Sequence, residues 1–169
     1  MAVRIALGHV KVGLNEFDMV ATPVDIGLEG INIKGNIGIY IAVNKISNQL
    51  NCNIKLSGIL LPQCDRCLEV FEKPFESQFE LVYIVQSQYD GQGKAAYNDD
   101  YVRPYSPHMR FIDITKDMKD FVELAVPMRR VPDEKPDGSC SWCGKTKEYW
   151  NTFIVEKNED AEDNENFEE

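Results

Sequence analysis

Apolar and polar residues alternate along the first half of the chain. Ile37, Ile39, Ile41 and Val43 fall on one face, and after the polar break Lys45 to Gln49 the alternation resumes from Leu50 to Leu60. Within it, Leu50, Cys52, Ile54 and Leu56 face one way and Asn51, Asn53, Lys55 and Ser57 the other. A third run, Phe75 to Val85, is rich in aromatic and β-branched residues. Side chains of a strand point alternately to its two faces, so period two predicts three half-buried strands in an antiparallel meander. Cys52 lies on the apolar side and reads as a core residue. Val3, Ile5 and Leu7 also alternate, and Val24 to Ile33 reads as a further strand broken by Gly27 and Gly30.

The period changes after residue 113. Met118, Phe121, Val122 and Ala125 follow the i, i+3, i+4, i+7 spacing of one helix face; Asp113 or Thr115 can cap the helix and Pro127 stops it. That stripe should cover the sheet. Gln86 to His108 is polar, without sustained periodicity, and holds Tyr89, Tyr97, Tyr101 and Tyr105. Such tyrosines can stack on nucleobases, but packing onto the sheet is the better reading. The fold class expected is α+β: an antiparallel β-sheet packed by one main helix, with a four-cysteine zinc knuckle joining the middle and C-terminal parts.

The knuckle rests on Cys64/Cys67 and Cys140/Cys143, two Cys-x-x-Cys pairs that use four of the five cysteines. Two intervening residues let each chain turn back and aim both sulfurs at one ion, and four thiolates close a tetrahedron with no position left for substrate. Gly144, just after the second pair, suits such a turn. Disulfides need an oxidising compartment, and the first residues lack the apolar stretch of a secretory signal. A thioredoxin-like redox pair needs a long following helix, which Pro74 forbids. Space-filling cysteines and iron–sulfur ligation stay open, because spacing alone does not exclude them. Zinc is the expected cofactor.

The 169 residues and 43% hydrophobic content suit one globular domain, expected over 1–155. No apolar run approaches the roughly 20 residues that cross a bilayer, so a soluble, cytoplasmic protein without membrane contact is expected. The net charge of −10 is uneven: residues 156–169 carry eight acids and one lysine. They read as a solvated, disordered acidic tail.

Arg66, Arg129, Arg130, Lys145 and Lys147 lie within or beside the cysteine turns. Closing a metal site would gather them into one patch able to hold nucleic-acid phosphates, or they could serve to offset the negative charge of a tetrathiolate centre. Trp142 reads as a shield for the sulfurs. Neither His9 nor His108 sits in a catalytic arrangement, and no glycine loop fits a phosphate-cradling pattern. No enzyme chemistry and no small-molecule substrate is expected.

The stretches Cys64-Asp65-Arg66-Cys67-Leu68-Glu69, Ile112-Asp113-Ile114, Leu124-Ala125-Val126-Pro127 and Cys140-Ser141-Trp142-Cys143-Gly144 resemble the YceD family, over about residues 35 to 150. This bacterial and plastid family was long classed as a domain of unknown function. The resemblance implies a part in accumulation or processing of large-subunit ribosomal RNA, with no established enzymatic activity. Its partners would be ribosomal RNA or large-subunit assembly proteins, with a protein-interaction adaptor that does not touch RNA as the alternative. The family pattern is firmer at the first cysteine pair than at the second, and the acidic tail and the N-terminal third depart from it.

Overall fold

The computed structural model describes residues 2–86 and 101–155, apart from the side chains of 150 and 153–155. They divide into two compact units, Met1–Leu61 with Glu72–Pro127, and Pro62–Phe71 with Met128–Glu169. The strands are β1 (Arg4–Ala6), β2 (Gly13–Ala21), β3 (Ile37–Ile46), β4 (Gln49–Leu60), β5 (Lys73–Val85), β6 (Val102–Tyr105) and β7 (Phe111–Asp113). The helices are α1 (Pro23–Ile26), α2 (Thr115–Ala125) and α3 (Lys147–Val155).

In the first unit, β2, β3, β4, β5 and β6 form a five-stranded sheet in that order. The first four run antiparallel, as the alternation predicts, and β6 runs parallel to β5. Register explains the core: Ile54 in β4 sits between Ile41 in β3 and Phe79 in β5, and all three are buried. Cys52 is buried beside them, as expected of a core residue. The alternate positions Lys55, Ser57, Gln78 and Glu80 face solvent. Antiparallel sheets commonly solvate one face and pack the other.

Helix α2 covers the packed face. Met118 and Val122 are fully buried, and the Phe121 ring stacks on Phe79 with centroids 4.1 Å apart. The cap differs from expectation: Ile114 occupies the N-cap position and makes no side-chain cap bond. The Asp113 carboxylate still accepts a hydrogen bond from the Thr115 N–H at 3.0 Å. The Thr115 hydroxyl is otherwise engaged, accepting from the Val3 N–H at 2.9 Å, which ties the N-terminal segment to the helix start. Nearby, β1 pairs with β7, placing Ile5 opposite Ile112. Asp117 on α2 is buried and accepts a bidentate pair of hydrogen bonds from Arg103 of β6. Two-point contact fixes the guanidinium plane.

Two expectations are corrected. Val24–Ile33 is not a strand: it begins inside α1, where Thr22 and Asp25 cap each other reciprocally, Pro23 opens the first turn, and Gly27 ends it at φ 77°. A capping box and a left-handed glycine are strong local signals for a helical turn, and they outweigh an apolar alternation of only a few residues. Tyr105, within the stretch read as aperiodic, ends strand β6 and is buried. Tyr101 packs against Phe121 at 6.2 Å. Tyr89, Tyr97 and the acidic tail lie outside the described residues.

Candidate functional site

All four paired cysteines belong to the second unit, and all are free thiols. Their two loops repeat one hydrogen-bond pattern. In the first, the Cys64 N–H donates to the Glu69 carbonyl at 2.8 Å and the Leu68 N–H donates to the Cys64 carbonyl at 2.9 Å. In the second, the Cys140 N–H donates to the Lys145 carbonyl at 2.9 Å and the Gly144 N–H donates to the Cys140 carbonyl at 2.9 Å. The residue after each pair takes the left-handed conformation, Leu68 at φ 61° and Gly144 at φ 72°. Two stretches with little sequence in common beyond their cysteines thus fold into equivalent turns, because both obey the same backbone requirement.

The Cys64 and Cys143 thiols act on Cys67, and the Cys143 thiol acts on Cys140. Burial pushes the Cys67 thiol up to about 11; the Glu69 N–H opposes this, and the neighbouring thiols add to it. Cys140 goes the other way: burial raises it, but N–H donation from Cys143 and Trp142, the Cys143 side chain and the Arg66 charge together hold it below its ordinary value. N–H groups aimed at sulfur favour the thiolate. These thiols neighbour one another, yet among the described residues no group of three or more His, Cys, Asp or Glu side chains is arranged as a metal cage. The donor chemistry fits zinc in number and type, four free sulfurs in two turns.

The five predicted cations do gather in this unit, but carboxylates are interleaved with them. Glu134 accepts from Arg66 at 3.0 Å and lies 3.4 Å from Lys147, so both cations share one acid. Asp65 accepts from Arg130 through both its backbone N–H, at 2.7 Å, and its guanidinium, at 3.1 Å. Lys145 lies over the Tyr149 ring, 4.4 Å from its centroid. Arg129 makes no ion pair among the described residues. Residues 62–71 and 128–155 together contain six Lys or Arg and six Asp or Glu, so the expected basic patch is electrically balanced. Sequence order does not reveal this pairing, because Asp65 and Glu134 meet Arg130, Arg66 and Lys147 only when distant segments come together. Trp142 is 54% exposed.

The profile of a family described as "Large ribosomal RNA subunit accumulation protein YceD" matches residues 52–169. The chain belongs to the YceD family. No curated protein and no solved structure matches it. The family's description links this YceD chain to large-subunit ribosomal RNA accumulation, and the matched region carries both cysteine turns. Strands β1, β2 and β3 lie before it. No helix among the described residues is long and apolar enough to cross a membrane.

Leu68 and Gly144 give this YceD protein a built-in comparison. A non-glycine residue in the left-handed region costs roughly 1–2 kcal/mol, and glycine recovers part of that. The Leu68 side chain is 67% exposed, so it contributes little packing in return. Leu68→Gly is therefore expected to stabilise the second unit by about 0.5–1 kcal/mol, and Gly144→Ala to destabilise it by a similar amount. Slower exchange of the Cys64 and Leu68 amides in the first variant, and faster exchange of the Cys140 and Gly144 amides in the second, would show it.

Proposed function

We propose that this YceD chain is a non-catalytic cytoplasmic factor that supports accumulation of large-subunit ribosomal RNA by binding that RNA, with its second unit stabilised by one zinc ion. The observation that carries the reading is the pair of equivalent cysteine turns within a region matched by the family. Cys64, Cys67, Cys140 and Cys143 would hold the ion. Four protein sulfurs leave no open coordination position, so the metal's contribution is to order the chain. Arg66 and Lys145 sense the sulfurs electrostatically, which supports a charge-offsetting role for them.

The family's connection with ribosomal RNA supports direct contact with that RNA. The balanced charge of the second unit favours a second reading for that surface: an adaptor that docks on a large-subunit assembly protein. In-cell ultraviolet crosslinking of the full chain separates the two. Recovery of large-subunit ribosomal RNA supports direct binding, whereas recovery of protein crosslinks alone supports the adaptor. Removing residues 156–169, which carry a net −7, is expected to tighten binding of ribosomal RNA fragments at low salt. Like charge repels phosphate within the roughly 10 Å screening length at 0.1 M salt. Equal affinity with and without the tail would oppose a screening role for it.

A further inference from the structure

The first unit contains a cleft of about 610 Å³ where residues 6–9, the turn between β3 and β4, and residues 105–110 meet. Three hydrogen bonds fix these segments. The Leu7 N–H donates to the Arg110 carbonyl at 3.0 Å, the Lys45 ammonium to the Val10 carbonyl at 3.3 Å, and the Val85 N–H to the Asn48 carbonyl at 2.9 Å. Lys45, Arg110 and His9 line the cleft, and no carboxylate does so among the described residues. Arg110 makes no ion pair among the described residues.

That composition stands out on an acidic chain. The depression on the outer sheet face sets Asp18 and Glu76 against Lys55, and the one in the second unit mixes Arg66, Arg129 and Lys147 with Asp133 and Glu134. The cleft also has an apolar floor of Leu50, Val85 and Tyr105, with Met109 on its rim half exposed. Cations above an apolar floor suit a ligand with a phosphate and a flat apolar body, and the volume lies within the range of about 300–1,000 Å³ of small-ligand sites. A duplex hides its bases, whereas a single strand can turn one out.

We propose that this cleft holds single-stranded RNA, with Lys45 and Arg110 on adjacent phosphates and a base against the rim and floor. The inference rests on the RNA-binding reading above and moves the contact away from the cysteine unit. Phosphate neutralisation releases counterions, so affinity should fall with salt.

The test is fluorescence anisotropy of the full chain with a labelled mixed-sequence single-stranded oligoribonucleotide across a salt series. Lys45→Gln/Arg110→Gln should weaken binding at least tenfold and reduce the log–log salt slope by about 1.4, roughly 0.7 for each phosphate no longer neutralised. Lys55→Gln/Lys116→Gln, which removes the same charge from exposed positions outside the cleft, should weaken it far less. Arg110→Gln alone leaves the Lys45 hydrogen bond intact and should give an intermediate loss with an unchanged urea midpoint. Wild-type binding that the cleft variants leave untouched would overturn the cleft while sparing the RNA reading. No wild-type binding even at low salt would overturn both. Displacement of the RNA by polyglutamate at equal charge concentration would overturn the RNA assignment of the cleft.

Discussion

Replacing Cys143 by serine, or treating the wild-type chain with a strong chelator, is expected to remove one zinc ion per chain and release the amides of residues 62–71 and 128–155 to rapid exchange. The magnitude follows from comparing scales. Apparent zinc binding by small finger peptides is worth about 10–16 kcal/mol, and the net stability of a whole domain is about 5–15 kcal/mol. The apolar core of buried residues lies in the first unit and includes none of the four cysteines. Strands β3 to β5 should therefore keep their protection when the metal leaves. Cys52→Ala should keep its zinc, because Cys52 is a buried core thiol that desolvation pushes up to about 12. Elemental analysis and hydrogen exchange on the same samples read both halves of the expectation. Metal retained by Cys143→Ser, or protection unaffected by complete chelation, would refute a shared four-sulfur site.

Ile54→Ala is expected to cost about 2–5 kcal/mol, the range for truncating a large buried aliphatic residue. Ile54 is fully buried at the centre of β4, flanked by Ile41 and Phe79. Phe79 in turn stacks on Phe121 of α2. A cavity there removes packing on both neighbouring strands and loosens the seat of the helix, and close-packed surroundings relax only partly into it. The comparison is Asn53→Ala, one residue earlier on the solvent face, where the side chain bonds exposed Glu80 and Gln78. It should stay within about 0.5 kcal/mol. Urea denaturation reads the contrast as a lowered midpoint at constant slope for Ile54→Ala alone. Similar midpoints for both variants would mean that the inner face is not the packed one.

The alternation that marks β3, β4 and β5 was legible because each strand buries one face and wets the other, which writes period two directly into the residues. The α2 stripe was legible for the same reason at period 3.6. Strand β6 was not, since it is short, holds Pro104 and follows a polar stretch; its place comes from parallel pairing with β5 and from the bond between Arg103 and Asp117. Helix α1 was misread because four residues give too little pattern to distinguish the two periods, although Thr22, Pro23, Asp25 and Gly27 carried its caps. At the cysteine turns the spacing foretold the turning chain but not that Leu68 would adopt the left-handed conformation that Gly144 takes in the other copy.

Some properties of this protein are local and therefore present in the chain before it folds. These are the strand and helix periods, the paired cysteines with their turn-forming spacing, and the concentration of acid at the C-terminus. Others exist only once distant segments meet. Asp65 and Glu134 pair with Arg66, Arg130 and Lys147, three of the five cations grouped as a patch in sequence, and Lys45 and Arg110 line one cleft with an apolar floor that has no neighbouring signal in sequence. The physical reason is range: backbone and burial preferences act over a few residues, whereas the charge of a surface is a sum over neighbours in space that the fold alone assigns.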